Sequence, residues 1–485
     1  MISLGGTFKE NRTAPGHRHS LRDVDLVVIG GGPGGYVCAI RASQLGLRTV
    51  LVEKARLGGE CLIAGCIPSK SIISVAKAYD KVREGAKFGI RVEGLSIDFA
   101  ALQSWKAGVV RTLETGVATL CQGYKVEVIK GDAELVEAAR VLVKTEGGTE
   151  ELSTKNVVIA TGSSAISLPG LEFDGKTVVS SREALELENL PKKMLIVGGG
   201  YIGLEIAGMY QRLGSHVTVV ELMDQLLPGT EPDLVRYVQK SLERRGGAVH
   251  LKSKVVSLEK TAEGARARLE TPQGEVVVDA DVVLVSVGRR PVTRNLNLDR
   301  LGIEVDPKGY IKTDQQMRTS VRNVFAIGDV RGMPLLAHKA QKEGVVAAES
   351  AAGLPTVAEW KSIPWAIFTD PEISGVGLTE KQAVEAGYQV KRSRFPFAAL
   401  GRAIAAGETD GFVRIISDAN SRVVIGVQIV GPDASDLISE ASLAIEMGAT
   451  TEDLALTMHP HPTLPEAMME AAESAVGRPI HQLRL

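Results

Sequence analysis

An apolar run leads into a glycine-rich turn at Leu26-Val27-Val28-Ile29-Gly30-Gly31-Gly32-Pro33-Gly34-Gly35, a Gly30-x-Gly32-x-x-Gly35 fingerprint. Residues 36–45 then predict a helix, and Thr49-Val50-Leu51-Val52-Glu53 predicts a second strand. In such a βαβ unit the glycines permit a tight turn and the helix N-terminus offers N–H groups to a pyrophosphate, while the terminal carboxylate accepts from ribose hydroxyls. The stretch therefore predicts a dinucleotide-binding unit in an α/β fold.

The same device occurs a second time. It comprises Leu195-Ile196-Val197, the turn Gly198-x-Gly200-x-x-Gly203, a predicted helix through Leu213 and a strand at 217–220 that is followed by Glu221. Gly30 to Glu53 and Gly198 to Glu221 both span 23 residues. A single fingerprint is weak evidence, but two copies with complete strand and helix context predict two dinucleotide sites.

The carboxylates of Glu53 and Glu221 hold equivalent positions in the two units. Each could be a solvated charge at the end of a strand, although the identical placement favours a role in the two sites. A carboxylate at this point repels a 2′-phosphate and accepts from a 2′-hydroxyl. Glu221 therefore predicts NAD rather than NADP in the second unit.

Two of the four cysteines, Cys61 and Cys66, follow the first unit in Gly58-Gly59-Glu60-Cys61-Leu62-Ile63-Ala64-Gly65-Cys66-Ile67-Pro68-Ser69-Lys70. Five residues of α-helix rise about 7.5 Å, whereas a disulfide tolerates a Cα separation of about 4.4–6.8 Å. The pair can therefore close only if the backbone is distorted, which Gly65 and Pro68 permit. A ring this small suits a bond that opens and closes in turnover.

Two other interpretations of these cysteines remain open. They could be buried apolar residues, or half of a zinc site. A zinc site needs two further ligands, and Cys38 and Cys121 stand alone, so no metal site is predicted. The lack of a cysteine-rich framework favours a catalytic pair in the cytosol.

The composition bounds the class of protein. The chain has 485 residues, 44% of them hydrophobic and 24% charged, with 56 Lys and Arg against 58 Asp and Glu. It is long enough for about three domains, and its formal net charge of −2 predicts neither nucleic acid nor an anionic membrane as a partner. Residues 1–22 are polar and predict a flexible extension, although an organellar targeting role is possible for this Arg-bearing segment. No window predicts a membrane span.

A proline-flanked histidine near the C-terminus offers a base for thiol chemistry. His459-Pro460-His461-Pro462-Thr463-Leu464-Pro465-Glu466 predicts a rigid loop that presents His461, with Glu466 to orient its ring. Thr463-x-x-Glu466 is also a capping box for the next helix, and a lone His461 could be structural. The presence of the cysteine pair and two nucleotide units favours the catalytic interpretation.

Four motifs together resemble the flavin-dependent pyridine nucleotide–disulfide oxidoreductases. They are Gly-Cys-Ile-Pro-Ser-Lys at 65–70, Phe-Ala-Ile-Gly-Asp at 325–329, Leu-Ala-His-Lys-Ala at 336–340 and His-Pro-Thr-x-x-Glu at 461–466. The resemblance extends from about Asp25 to Gly477 and favours the lipoamide branch of the family. It implies FAD in the first unit, NAD in the second and an obligate homodimer in which His461 reaches the cysteines of the partner subunit.

The resemblance also implies roles for individual residues. Cys61 would be the interchange thiol and Cys66 the thiolate beside the flavin, while Lys70 would lie near the flavin ring and pair with Glu205; otherwise these two are exposed helix charges. Asp329 would contact FAD, although it could equally be a helix cap. The remaining predicted cofactor contacts are Thr161, Gly162, Ser163, Leu335, Leu336, Ala337, His338 and Gly288.

The implied architecture is two Rossmann-like domains followed by a C-terminal α+β dimerisation domain. The predicted boundaries are 1–22 for the extension, 23–163 and 290–360 for the two parts of the FAD domain, 164–289 for the NAD domain and 361–485 for the interface domain. In the last domain the sequence predicts strands at 411–416 and 423–430 and helices at 435–447 and 466–476.

The implied reaction is oxidation of protein-bound dihydrolipoamide to lipoamide with NAD⁺ as acceptor, with the lipoyl domain of a 2-oxo acid dehydrogenase or related complex as partner. Glu60, Ile63 and Ala64 depart from the Thr, Asn and Val that are common in the family. These departures leave the disulfide substrate open, so an NADH-dependent reductase of another disulfide or quinone is one alternative. A non-catalytic flavin-binding structural subunit is an alternative of another class, against which the intact Cys61, Cys66 and His461 argue.

Overall fold

The computed structural model of the protein describes residues 21–483. The first 20 residues of the predicted extension lie outside this described part. The prediction that Leu21 and Arg22 also belong to the extension is wrong, because both pair with residues 151 and 152 as the start of the first strand.

The first nucleotide unit is built on a mixed sheet. Its elements are β1 (Leu21–Ile29), α1 (Pro33–Gln44), β2 (Thr49–Glu53), α2 (Gly59–Ala64), α3 (Cys66–Arg83), a 3₁₀ turn (Gly85–Phe88), α4 (Phe99–Gly123), β3 (Glu127–Lys130), β4 (Asp132–Glu137), β5 (Arg140–Thr145), β6 (Gly148–Ile159) and β7 (Ser163–Ala165). The strand order is β3-β2-β1-β6-β5-β4. The β3-β2-β1-β6 part is parallel, as a βαβ unit requires, and β4 and β5 add an antiparallel meander.

The second unit repeats the parallel core. Its elements are β8 (Val178–Val179), α5 (Ser181–Ala184), β9 (Lys193–Val197), α6 (Tyr201–Leu213), β10 (His216–Val220), α7 (Pro232–Arg244), β11 (Ala248–His250), β12 (Lys254–Thr261), β13 (Gly264–Thr271), β14 (Gly274–Ala280) and β15 (Val282–Val285). β16 (Arg289–Pro291) and α8 (Leu298–Leu301) follow, and α8 packs against the core of the first unit. The parallel sheet has the order β11-β10-β9-β15-β8, and β12-β13-β14 form a separate antiparallel sheet. An antiparallel pair of β7 and β16 forms the crossover between the two units.

The chain then returns to the first unit. β17 (Val324–Ala326) pairs in parallel with β6, a 3₁₀ turn follows at Gly328–Arg331, and α9 (Ala337–Ala351) packs across α1. The two helices approach closely because a Cβ atom at Gly344 would lie 2.5 Å from the carbonyl oxygen of Gly34. The lack of a side chain at Gly344 therefore allows α9 to lie directly against the first fingerprint.

The last part of the chain has a different architecture. Its elements are β18 (Trp365–Ile367), β19 (Glu372–Gly377), α10 (Glu380–Glu385), β20 (Val390–Pro396), a 3₁₀ turn (Phe397–Ala399), α11 (Gly401–Ala406), β21 (Phe412–Asp418), β22 (Val424–Gly431), α12 (Ala434–Met447), α13 (Thr451–Leu456) and α14 (Glu466–Ala475). The strands form an antiparallel sheet in the order β18-β19-β22-β21-β20. Residues of α12 and α14 share one buried apolar cluster with this sheet, so the predicted α+β class is confirmed.

The residues directly before the two fingerprints, Leu26–Ile29 of β1 and Met194–Val197 of β9, are buried. β9 and β15 carry apolar side chains on both faces, as do the residues of β1 that precede Gly30. Continuous burial is typical of parallel strands with helices on both faces of the sheet. Each nucleotide unit therefore has its own core, which fixes the position of the turn at the end of its first strand.

One helical stretch, Gly59–Arg83, is long and apolar enough to cross a membrane by length and composition alone. Gly65 divides it into α2 and α3, and α3 packs against α4 and α6. The stretch therefore packs one face against other helices of the fold.

Candidate active site

The first fingerprint turn can be formed only by glycine at two of its positions. Gly30 has a φ of +107°, a left-handed conformation that side chains disfavour. A Cβ atom at Gly35 would collide with the carbonyl oxygen of Gly30. Gly32 differs, because a Cβ atom there would have no neighbour closer than 4.0 Å. Gly32 is also the N-cap of α1 and has no side-chain cap, so its open face and the free N–H groups can receive a phosphate.

The second fingerprint has the same geometry. Gly198 has a φ of +106°, and a Cβ atom at Gly203 would collide with the carbonyl oxygen of Gly198. Gly200 is the uncapped N-cap of α6, with open space where a Cβ atom would stand. The structure thus builds two anion-accepting turns from the two predicted motifs.

The carboxylates that end the second strands brace these turns. Glu53 Oε2 accepts from the N–H of Gly31 at 2.7 Å, and Glu221 Oε2 accepts from the N–H of Gly199 at 2.7 Å. The second oxygen of each accepts from a backbone N–H two residues further along the chain. Both glutamates are therefore structural parts of their fingerprints as well as charges at the mouth of each site, a contact that spacing alone did not predict.

A cavity of about 400 Å³ opens beside Glu53. Its lining includes Ala55, Arg56, Glu114 and Lys130. Cofactor pockets commonly have volumes of about 300–1,000 Å³. The cavity therefore has room for the adenosine end of a dinucleotide whose pyrophosphate lies on the Gly32 turn.

The two cysteines are joined as a disulfide. Cys61 lies in α2 and Cys66 begins α3, and Gly65 between the helices has φ −139° and ψ −103°. This break brings the Cα atoms to 4.7 Å, within the range for a disulfide. The predicted backbone distortion is confirmed, and a disulfide is present in place of a zinc half-site or two separate thiols.

The other cysteines have a different environment. Cys38 and Cys121 are both fully buried. Burial raises the pKa of the Cys38 thiol to about 12, which suppresses the reactive thiolate. Thiol chemistry is therefore concentrated at Cys61 and Cys66.

Lys70 and Glu205 form the predicted ion pair. Lys70 Nζ lies one helical turn beyond Cys66 on α3 and 2.7 Å from Glu205 Oε2 on α6. Glu205 Oε1 also accepts from the N–H of Phe368 at 3.0 Å, and Lys70 Nζ lies 4.1 Å from the centroid of the Phe368 ring. The alternative of two exposed helix charges is wrong because the Glu205 side chain is only 8% exposed.

Asp329 lies beside the predicted residues at 161–163. Ser163 Oγ donates to Asp329 Oδ2 at 2.5 Å, and Arg289 Nε donates to Ser163 Oγ at 2.8 Å. Thr161 Oγ1 donates to the carbonyl of Val292 at 2.6 Å, and the carbonyl of Gly162 accepts from the N–H of the same residue. The ends of β6 and β17 and the β16 crossover thus meet in one polar cluster.

The remaining predicted cofactor residues lie next to this cluster or at the crossover. Leu335 and Leu336 precede α9, Ala337 and His338 form its first turn, and Gly288, with a φ of +139°, precedes β16. The His338 Nε2 atom lies 2.7 Å from the carbonyl oxygen of Pro364. This contact ties the start of α9 to the segment before β18.

Glu343 is a site residue that sequence reasoning missed. Its fully buried carboxylate accepts from the N–H of Gly328 at 2.7 Å, forms a short ion pair with Arg331 and lies 3.1 Å from Lys339 Nζ. Gly328 directly precedes Asp329, so Glu343 fixes the turn that presents Asp329. Its place four residues after Lys339 on an otherwise apolar helix face was the available signal.

Glu60, directly before Cys61, is also tied into the site. It forms a short ion pair with Arg182 on α5, and its other oxygen lies 3.6 Å from Arg289. Glu60, which replaces the Thr that is common in the family, therefore links α2, the helix of Cys61, to the second nucleotide unit.

His461 and Glu466 form the predicted pair. His461 Nδ1 lies 2.8 Å from Glu466 Oε1, and Glu466 Oε2 accepts from the N–H of Thr463 at 2.7 Å. Burial raises the pKa of Glu466, but the bonds from Thr463 and His461 outweigh burial and lower it below its usual value. The capping box is only half formed, because the Thr463 hydroxyl donates to the carbonyl of Pro460.

The structure brings the predicted residues into two groups. The fingerprints, the disulfide, the Lys70–Glu205 pair and the Asp329 cluster lie together in the nucleotide units. His461 lies on the C-terminal part with its side chain 79% exposed, and in the described part of a single chain it makes no hydrogen bond to Cys61 or Cys66. Within the described part of one chain, His461 is therefore paired with Glu466 rather than with the disulfide.

Family models match nearly the whole described fold. The pyridine nucleotide-disulphide oxidoreductase model matches residues 24–344, and the dimerisation domain of the same family matches residues 363–472. The second match supports a homodimer.

Curated relatives are similar over almost their full lengths. The dihydrolipoyl dehydrogenase of Bacillus subtilis is 46% identical over 95% of this chain and 98% of its own. The enzyme of the same name from Thermus scotoductus is 44% identical over 96% of this chain and 100% of its own.

Solved structures have the same fold. LpdA from Mycobacterium tuberculosis superposes with a TM-score of 0.86 at 27% identity, covering 93% of this chain and 99% of its own. The HOCl-induced flavoprotein disulfide reductase RclA from Escherichia coli has a TM-score of 0.82 at 26% identity, with the same coverage.

The cofactors of this family are FAD and NAD(H), and the two braced fingerprints and the cavity at Glu53 fit two dinucleotides. The fold, the motifs and the two matched family models agree along the chain. The chain therefore belongs to the pyridine nucleotide-disulphide oxidoreductase family.

Proposed function

We propose that this chain is a dihydrolipoyl dehydrogenase that oxidises protein-bound dihydrolipoamide to lipoamide with NAD⁺ as acceptor. The observation that carries the proposal is the Cys61–Cys66 disulfide. Cys66 is the first residue of α3 and lies one helical turn before Lys70, which pairs with Glu205. The similarity to dihydrolipoyl dehydrogenases over about 95% of the chain supports the choice of substrate.

The first nucleotide unit is proposed to hold FAD. Gly30, Gly32 and Gly35 would form the pyrophosphate turn, and Glu53 would bind the ribose. Further contacts would come from Lys70, Thr161, Gly162, Ser163, Asp329, Leu335, Leu336, Ala337 and His338. When bound, FAD accepts two electrons from the dithiol and passes them to NAD⁺ as a hydride.

The second unit is proposed to hold NAD. Gly198, Gly200 and Gly203 would receive its pyrophosphate, Glu205 and Gly288 would border the site, and Glu221 would accept from the 2′-hydroxyl. Both oxygens of Glu221 already accept from backbone N–H groups, so its charge is held in place. A fixed carboxylate here would repel the 2′-phosphate of NADP.

The thiol half-reaction is proposed to begin at His461 of the partner subunit. Its Nε2 takes a proton from one substrate thiol, and the resulting thiolate attacks Cys61 Sγ, so that the Cys61–Cys66 bond breaks and Cys66 leaves as a thiolate. The second substrate thiol then attacks the substrate sulfur bound to Cys61, and its proton passes to the leaving Cys61 Sγ. This step releases the cyclic disulfide and the Cys61 thiol, and Glu466 stabilises the charged imidazole throughout.

The proposed assembly is a cytoplasmic homodimer that docks a lipoyl domain of a 2-oxo acid dehydrogenase or related complex. The exposed His461 and the dimerisation domain support a site completed by the second copy. The proposed domains are 21–163 and 290–360 for FAD, 164–289 for NAD and 361–485 for the interface, with the first domain starting at Leu21 because β1 does.

A second candidate function is NADH-dependent reduction of another disulfide or of a quinone. The ion pair of Glu60 with Arg182 favours it, because this charge lies directly beside Cys61 where the family commonly has Thr. The similarity to a flavoprotein disulfide reductase is consistent with it.

Substrate comparison tests the proposal. The holoenzyme should reduce NAD⁺ with dihydrolipoamide faster than it oxidises NADH with glutathione disulfide or a quinone. Failure with dihydrolipoamide and turnover with another disulfide would replace the proposal by the second candidate. Absence of flavin bleaching with any dithiol would indicate a non-catalytic subunit.

A further inference from the structure

Four charged side chains meet where three parts of the chain join. Asp80 lies near the end of α3 in the first nucleotide unit, and Arg212 lies near the end of α6 in the second. Arg245 directly follows α7, and Asp370 lies between β18 and β19 of the C-terminal part. None of the four belongs to the fingerprints, the redox loop or the His461 loop.

The contacts among them are close and protected from water. Arg245 Nη2 lies 2.7 Å from Asp80 Oδ2 and 3.0 Å from Asp370 Oδ2. Arg212 Nη2 lies 2.8 Å from Asp370 Oδ2, and the side chains of Arg212 and Asp80 are each only 8% exposed. Burial raises the pKa of Asp370, but both arginines outweigh burial and lower the pKa, so this carboxyl stays ionised. Ion pairs with so little solvent are weakly screened.

The same two helices are joined again at their other ends. Lys70 on α3 pairs with Glu205 on α6, and Glu205 Oε1 accepts from the N–H of Phe368. The short segment from Phe368 to Asp370 therefore contacts both ion-paired ends of the α3–α6 contact. Three separate parts of the chain are held in one register by this arrangement.

The two helices begin at the two sites of the proposed reaction, the disulfide for α3 and the proposed NAD site for α6. α3 begins at Cys66, and α6 begins directly after Gly200. A change in the angle between the helices would move the nicotinamide site relative to the flavin, but would leave the Cys61–Cys66 loop on its own helix. Misplacement by about 1 Å can cost about 10²-fold in rate.

We propose that Asp80, Arg212, Arg245 and Asp370 form a three-unit clamp that positions the NAD-binding unit for hydride transfer. The clamp acts through α6, so its members are positioning residues. The inference rests on the proposed function only in assigning hydride transfer to the second unit. In that transfer NADH is oxidised to NAD⁺ and the enzyme-bound flavin takes up the hydride. During oxidation of dihydrolipoamide the hydride passes in the opposite direction, from the reduced flavin to NAD⁺.

Separate half-reactions of Arg212→Met holoenzyme test the clamp. Methionine retains much of the apolar stem but removes the charge. Flavin reduction by NADH, followed by stopped flow, should slow at least ~10-fold, whereas flavin reduction by dihydrolipoamide should stay within about 2-fold. Arg244→Met is the matched control, because Arg244 is an exposed arginine of the same region that pairs with Asp410. Both half-reactions of the control should stay near wild type.

Amide hydrogen exchange gives a readout that does not depend on turnover. The Phe368 N–H and the hydrogen-bonded amides of α6 from Leu204 onward should exchange faster in Arg212→Met than in wild type or Arg244→Met. Equal slowing of both half-reactions, or unchanged hydride transfer or unchanged exchange, would overturn the clamp.

Two further measurements keep the proposal falsifiable. One uses a conservative variant, and the other uses the NADH half-reaction, which does not need the dithiol substrate. If Arg212→Met does not fold, Asp370→Asn, which is nearly isosteric and removes the charge that both arginines share, must show the same selective loss of hydride transfer. A loss shared by both half-reactions refutes the clamp. If wild type fails to react with dihydrolipoamide, the proposed function fails. The clamp is then judged by the NADH half-reaction and exchange alone.

Discussion

Lys70 Nζ on α3 and Glu205 Oε2 on α6 lie 2.7 Å apart and join the redox helix to the helix of the second fingerprint. Since the Glu205 side chain is 8% exposed, Lys70→Met would leave a buried carboxylate with only the Phe368 N–H as donor. We expect a loss of about 1–3 kcal/mol in the free energy of unfolding. Denaturant unfolding of the holoenzyme measures it.

The matched control is the double variant Lys70→Met/Glu205→Gln. It removes both charges and should recover part of the lost stability, as a coupled pair does. Additive losses in the two single variants would show that the pair is not coupled.

Cys66 begins the helix that runs to Lys70, so its thiolate is expected to lie against the flavin. Partial reduction of the wild-type holoenzyme without oxygen should give a long-wavelength absorbance from this thiolate. Cys66→Ser should abolish the band, whereas Cys61→Ser should retain it. Persistence of the band in Cys66→Ser would refute the assignment of the two sulfur atoms.

His461 is the proposed base of the thiol half-reaction, and Glu466 orients its ring. His461→Gln should slow flavin reduction by dihydrolipoamide at least ~10²-fold, while flavin reduction by NADH should survive. His459→Gln is the control, because His459 lies on the same loop but pairs with Glu440. An equal effect of both variants would point to a general loss of loop structure.

Glu343 is fully buried and accepts from the N–H of Gly328, next to Asp329. Glu343→Gln should weaken its contacts to Arg331 and Lys339 and loosen this turn, so FAD should bind apoprotein at least several-fold more weakly. Quenching of flavin fluorescence in a titration measures the affinity. Glu349→Gln on the same helix, whose carboxylate pairs with Arg41, is the control. Equal affinities of wild type and Glu343→Gln would exclude the positioning role.

The C-terminal His481 pairs with Glu470, a largely buried carboxylate on α14, at 2.5 Å. The hydrogen bond and charge of Glu470 raise the pKa of His481 above its usual value. A raised pKa in the folded state stabilises the protein below the unfolded pKa, and this contribution is lost as pH rises through the folded pKa. Stability of the wild type should therefore fall as the pH rises above about 6.5, the ordinary pKa of histidine.

His481→Gln should flatten this pH dependence of thermal unfolding, and His216→Gln, at an exposed position on β10, should not. If His481→Gln leaves the wild-type slope intact, the pair has no stabilising role.

The sequence predicted those parts of the site that depend on local spacing. The βαβ fingerprints, the break at Gly65 and the His461–Glu466 pair all follow from residues a few positions apart. The Lys70–Glu205 pair was predicted through the family resemblance, since spacing could not place two helices side by side. Only one bond of the predicted capping box at Thr463 forms, from the Thr463 N–H to Glu466. The helix begins one residue after Pro465, and the Thr463 hydroxyl donates to the carbonyl of Pro460 instead of accepting from the helix.

Contacts between distant segments were not predictable in this way. The role of Glu343 depends on the return of residues 324–351 to the first sheet, and the ion pair of Glu60 depends on the placement of α5. The clamp at Asp80 requires four segments to meet. No periodic pattern marks such meetings, so only the folded chain reveals them.

The break at Gly65 places the two sulfur atoms on two different helices. Cys66 belongs to the long α3, whereas Cys61 belongs to the short α2, which rests on the first fingerprint through the N–H of Gly58 and the carbonyl of Gly31, 2.9 Å apart. The disulfide is therefore a second covalent connection between α2 and α3, in addition to the backbone through Gly65. Reduction removes this connection, so the helix beside the phosphate turn is tied to α3 at one point fewer in the reduced enzyme than in the oxidised one.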